Sequence, residues 1–142
     1  MYVPKLELPT LSGELAVIGA PHAGTRQILL IYNTTCTFCA AGLPAWATVA
    51  EAASELDAEV VGLSIDLLDE TLAYAGAHQL NFPTALLASD RDKVLLRADA
   101  VPQTLVVDSA GRVLLAWPGN LSPLAVDSVL AAARSPPIQG RR

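Results

Sequence analysis

The chain has 142 residues, 52% hydrophobic and 16% charged, with a formal net charge of -5. This length suits one domain with a substantial core, and the composition excludes a disordered chain. The acidic balance argues against a nucleic-acid partner, which calls for a basic face, and no apolar run reaches the ~18 residues that would suggest a membrane span.

The N-terminal stretch Met1 to Pro9 lacks the basic start and apolar core of a signal peptide. Either a cytosolic protein or one whose export signal has been removed is expected. Leu6-Glu-Leu8 and Glu14-Leu-Ala-Val17 flank Pro9 to Gly13 and predict a small hairpin with Gly13 near its turn. Ala20 to Gln27 reads as a polar loop. Ile28 to Tyr32 is a continuous apolar run, as expected of a strand covered on both faces. Two cysteines follow, Cys36 and Cys39, the only two in the chain. Ala40 to Leu56 is alanine-rich and predicts one helix, bent by Pro44 in its interior.

Val60 to Ile65 predicts a second strand, with Asp66 and Asp69 at its end and Asp69 as the N-cap of a helix running to about His78. Asn81-Phe-Pro83 interrupts, Thr84 to Leu87 reads as extended, and Asp90 to Ala98 as a helical turn. Thr104 to Val107 and Val113 to Trp117, joined by Asp108 to Arg112, give a hairpin signal. Ser122 followed by Pro123 predicts a helix start, and Leu121, Val126, Val129, Leu130 and Ala133 form one apolar face of that last helix. Residues 1–134 are expected to form the domain and 135–142, with two prolines and two terminal arginines, a flexible tail. Strands alternating with helices imply parallel pairing, and the late hairpin adds an antiparallel edge. The expected class is α/β, a mixed sheet with helices on both faces.

A cysteine opening a helix meets unsatisfied N–H groups and the positive end of the helix dipole, both of which favour thiolate over thiol. Cys36 in that position would be a nucleophile, with Cys39 close enough to close a disulfide. Structural zinc is the competing reading, but it usually needs four protein ligands. The only histidines, His22 and His78, each stand alone. Two inert buried cysteines are the other alternative, made weaker by the strand–Cys-x-x-Cys–helix order. No metal and no cofactor are expected.

At this point the chain resembles the thioredoxin-like thiol–disulfide oxidoreductases, and among them the TlpA-like branch of the redoxin superfamily. Leu6 to Gly13, Leu29 to Pro44, Val60 to Asp66, Leu80 to Pro83, Val101-Pro-Gln-Thr104 and Leu105 to Gly119 carry the resemblance, which runs nearly end to end. It implies a thioredoxin-like three-layer sandwich with an N-terminal β-hairpin. It also implies that Cys36 and Cys39 are catalytic, joined by Pro102, whose peptide bond to Val101 is cis in that family. Thr35, Thr37, Phe38 and Val101 would meet the substrate. Three departures stand out. Thr35 replaces the tryptophan usual before the first cysteine, Thr37-Phe38 lacks the proline many members carry there, and Gly42 replaces the glutamate of some members. Leu30 occupies the position of thioredoxin's buried aspartate.

The resemblance implies a protein disulfide or dithiol as substrate, an upstream thiol redox donor and an extracytoplasmic setting; a monomer is expected. Two other functions compete. A peroxiredoxin needs Pro-x-x-x-Thr-x-x-Cys, and neither cysteine satisfies it: Asn33 and Leu29 precede Cys36 where threonine and proline are required. A metal-carrying or adaptor module would need a further ligand, and His78 has no supporting motif.

Overall fold

The computed structural model describes residues 1–19 and 25–134, with Ala20 to Gly24 and Ser135 to Arg142 left outside the description. The polar loop expected over Ala20 to Gln27, the isolated His22 and the expected tail therefore lie largely or wholly outside the described residues.

Strands β1 (Leu6–Pro9) and β2 (Leu15–Ile18) form the N-terminal hairpin, and Gly13 supplies the left-handed backbone (φ 91°) between them. Five further strands form one sheet: β3 (Gln27–Tyr32), β4 (Glu59–Ser64), β5 (Thr84–Leu86), β6 (Gln103–Val107) and β7 (Val113–Pro118), in the order β5-β4-β3-β6-β7. β3, β4 and β5 run parallel, while β6 and β7 are antiparallel additions. The helices are α1 (Thr37–Ala41), α2 (Leu43–Ala53), α3 (Leu68–His78), α4 (Asp90–Leu95) and α5 (Pro123–Ala133).

β3 is central, and all six of its residues are buried. Its alternating side chains divide the core. Ile28, Leu30 and Tyr32 face α2 and α5, packing with Trp46, Val49, Val129 and Ala133. Leu29 and Ile31 face the other way, toward Leu8 and Ile18 of the hairpin and Leu96 after α4. The result is the expected three-layer α/β sandwich, with the hairpin as part of one outer layer.

Three local expectations are corrected. Gln27 is not in a loop but opens β3, fully buried. Its side-chain amide serves the hairpin by accepting from Gly19 N–H (3.1 Å) and donating to the Val17 carbonyl (3.0 Å). The single helix bent by Pro44 is two helices, divided at Gly42. A Cβ at position 42 would run into the Asn120 amide, so the break is where another element presses on the backbone. Pro44 sits in the first turn of α2, where its missing N–H costs nothing. Asp69 is not the cap of α3. Leu67 holds that place, its N–H donating to the Glu70 carboxylate at 3.4 Å, and Asp69 lies in the first turn, where its charge still suits the helix dipole. Ser122 does cap α5, accepting from Ala125 N–H at 3.1 Å.

Candidate active site

Because β3 and β4 are parallel, with Tyr32 opposite Ser64, the segments that follow them leave the sheet at the same end. β6 enters and β7 leaves at that end too, Gln103 lying opposite both Ile31 and Pro118. Five connections therefore converge there: Asn33 to Cys36, Ile65 to Leu67, Leu87 to Ser89, Leu96 to Pro102, and Gly119 to Ser122.

Cys36 is the N-cap of α1, with extended backbone (φ -86°, ψ 108°), and its sulfur accepts the Cys39 N–H at 3.0 Å. The cap position, normally an oxygen's, is held here by sulfur. Cys36 is half-buried and Cys39 fully buried, and both are free thiols. Burial, reinforced by the hydrogen bond with Cys36, raises the Cys39 thiol from its ordinary 9.0 to about 12, against the opposing pull of the Asn33 backbone. Cys39 thus holds its proton, and the pair presents only one sulfur to solvent.

The residues expected to meet a substrate divide between rim and wall. Thr35, Thr37 and Phe38 are exposed, Phe38 by 59%. Val101 is half-buried and packs against both halves of the core. The Val101–Pro102 peptide bond is cis, and Pro102 is buried, its carbonyl accepting Gly119 N–H at 2.8 Å.

Sequence reasoning missed the contacts that fix this end of the molecule. Asp66 accepts from Thr34 twice, from its N–H (2.6 Å) and its hydroxyl (2.7 Å), which anchors the approach to Cys36 on the end of β4. Asn120 donates to the Phe38 carbonyl at 3.0 Å, which ties the turn between the cysteines to the connection before α5. Trp46 is buried, and its indole N–H donates to Thr104 at 3.0 Å, just past Pro102. A carboxylate two residues from a strand end was visible in the sequence as a candidate for such a role. The Asn120 contact left no sequence signal.

Tyr32, Trp46, Tyr74 and Phe82 line the core beneath the cysteines. The Tyr32 and Tyr74 rings stack at 5.5 Å, and Trp46 meets Tyr32 and Phe82 edge-on at 6.1 and 6.2 Å. Among the described residues no group of three or more His, Cys, Asp or Glu side chains is placed to hold a metal ion. His78 lies exposed on α3, its ring 4.3 Å from that of Tyr74.

A model of the AhpC/TSA family matches residues 2–116. No curated protein matches the chain. Among solved structures, StoA from Bacillus subtilis aligns with a TM-score of 0.76 at 16% identity, over 92% of this chain and 96% of that one. A thiol:disulfide interchange protein of the thioredoxin family from Chlorobium tepidum gives 0.75 at 19% identity, over 95% and 97%. A secreted disulfide oxidoreductase from Mycobacterium tuberculosis, homologous to E. coli DsbE, gives 0.70 at 22% identity, over 89% and 95%. At these identities the likeness is one of fold, and the fold is thioredoxin-like.

Proposed function

The chain belongs to the AhpC/TSA family, and on that premise we propose that it is a thiol–disulfide oxidoreductase exchanging disulfides with partner proteins through Cys36 and Cys39. The observation that carries this reading is the asymmetry of the pair, with one sulfur half-buried at a helix start and the other buried and protonated beneath it. Cys36 attacks a substrate disulfide and forms a mixed disulfide. Cys39 attacks Cys36, forms the intramolecular disulfide and releases the substrate thiol. An upstream thiol donor returns the pair to the reduced state. Thr35, Thr37 and Phe38 form the rim the substrate meets, and Val101 offers its backbone to an extended substrate segment. The solved neighbours named for disulfide chemistry support this reading through their shared architecture.

The test uses a disulfide-bonded model protein as substrate. A Cys39→Ala variant should accumulate a mixed disulfide through Cys36, visible by mass spectrometry, and Cys36→Ala should accumulate none. The wild type should turn the substrate over. Absence of the trapped species, or peroxide consumption faster than that of an ordinary dithiol, would overturn the proposal.

A further inference from the structure

One step of this mechanism has no side-chain partner. Cys39 must lose its proton as it attacks Cys36, yet it is fully buried, and the buried polar side chains among the described residues include no acid: they are Gln27, Ser64, Thr71, Thr84, Gln103 and Thr104. The Asn33 backbone already favours a thiolate there, and any further donor has to come from a side chain. The donors nearby are mostly engaged. Tyr32 is paired with Thr84 (3.1 Å), Trp46 donates to Thr104 (3.0 Å), Ser64 is paired with Thr71 (2.8 Å), and the Gln103 amide serves the carbonyls of Arg97 and Ala100. Three buried side-chain polar atoms of the described residues have no partner: Asn33 Oδ1, Asn120 Oδ1 and the Tyr74 hydroxyl. The two amide oxygens can only accept. The Tyr74 hydroxyl alone can donate.

Tyr74 lies in the same buried cluster as Cys39, 8% exposed and stacked on Tyr32, which ends the strand leading to the cysteines. Its own proton is held more firmly than usual, first by burial and then by negative charge at Cys39 and Cys36, so it stays a donor while a thiolate exists. The other ionisable groups around it are Tyr32 from β3, the two cysteines of the α1 turn and His78 on its own helix. From α2 the buried cluster receives only Trp46, Val49 and Ala53.

We infer that Tyr74 is a positioning residue for resolution, its unspent hydroxyl donating a hydrogen bond to the Cys39 sulfur as that sulfur becomes a thiolate. The inference rests on the dithiol reading above. In the step, the bond between Cys36 and the substrate sulfur breaks, and the Cys36–Cys39 bond forms. The electron pair leaves on the substrate sulfur, which takes up a proton, and the proton of Cys39 passes to solvent. The substrate disulfide is the oxidant. An unpartnered buried hydroxyl costs a fold stability. Its retention in the resting enzyme is explained if the partner arises only during turnover.

Tyr74→Phe keeps the ring and removes only the hydroxyl. Reduced protein is mixed with the aromatic disulfide DTNB, which releases one thionitrobenzoate when Cys36 attacks and a second when Cys39 resolves. Tyr74→Phe should leave the first phase within about twofold and slow the second by about tenfold or more, the scale of one hydrogen bond to a charged group. Its urea midpoint should be no lower than that of the wild type. In a Cys36→Ser background, where Cys39 is the sole thiol, the rate of Cys39 alkylation at one mildly alkaline pH should fall by about tenfold when Tyr74→Phe is added, because the thiolate fraction falls with the lost hydrogen bond. Equal second phases and equal Cys39 alkylation rates with and without Tyr74→Phe would overturn the inference while leaving the dithiol reading intact. A wild type that never releases the second thionitrobenzoate would overturn both.

Discussion

On the helix-covered face of the sheet the buried apolar cluster includes Tyr32, Trp46, Tyr74, Phe82 and Cys39, whereas on the hairpin-covered face every buried member of the apolar cluster is Val, Leu, Ile or Ala, with the Gln27 amide as a polar exception beside it. The same strand feeds both, through alternate residues of β3. An aliphatic cluster needs only shape and volume, and the one amide beside it, that of Gln27, is matched to the hairpin backbone. An aromatic face carries donors that must be aimed. Tyr32 and Trp46 have theirs matched to Thr84 and Thr104, and Tyr74 does not. One face therefore holds the molecule together, and the other holds specific atoms in specific places beside the sulfurs.

If this division is real, damage to the two faces should look different. Leu29→Ala strikes the aliphatic face at a fully buried position. It should cost about 2–5 kcal/mol of stability, read by chemical denaturation, because truncation there leaves a cavity. Cys36 alkylation in the folded variant should match the wild type. A large change in that rate would mean the two faces are coupled.

Trp46→Phe strikes the aromatic face more gently. It retains a ring but deprives the buried Thr104 of its donor, at a cost of about 1–3 kcal/mol. Here thiol reactivity should change along with stability, since α2 and the strand after Pro102 lose their connection. An alkylation rate identical to that of the wild type would show that the bond only stabilises.

The smallest effect is an alkaline limb. The fold keeps Cys39 protonated to about 12 against an ordinary 9.0, and burial likewise raises Tyr32 to about 12 from 10.0. The stability these groups contribute is whole below their ordinary values and falls as pH climbs from about 9 toward 12, where the unfolded chain releases protons that the folded one retains. Cys39→Ala should remove the part that begins near 9, and Tyr32→Phe the part that begins near 10. The hairpin-face cluster contains no ionisable residue and should contribute nothing. A denaturation series whose alkaline slope is the same in Cys39→Ala and the wild type would remove Cys39 from the account.

Much of this was legible in the sequence for a local reason. The apolar runs at Ile28 to Tyr32 and Val60 to Ile65, the proline after Ser122 and the two cysteines each announce themselves within a few residues. The division of the cysteine helix at Gly42 did not, because the residue that presses on it is Asn120, in another connection. Gln27 looked like loop because glutamine is polar, and only the hairpin carbonyl and N–H it satisfies make its burial affordable. Asp66 and Thr34 are 32 residues apart, and nothing in either stretch names the other. The chemistry-bearing pair was written locally, while the scaffold that aims it is tertiary.

The bond from Asn120 to the Phe38 carbonyl spans 82 residues. Its consequence is one of timing. A chain made from its N-terminus finishes the cysteine turn long before the ribosome has added β6, β7 or Asn120. Until then the Phe38 carbonyl lacks the Asn120 amide, and the cysteine turn is tied to the far end of the chain only once that connection has been made.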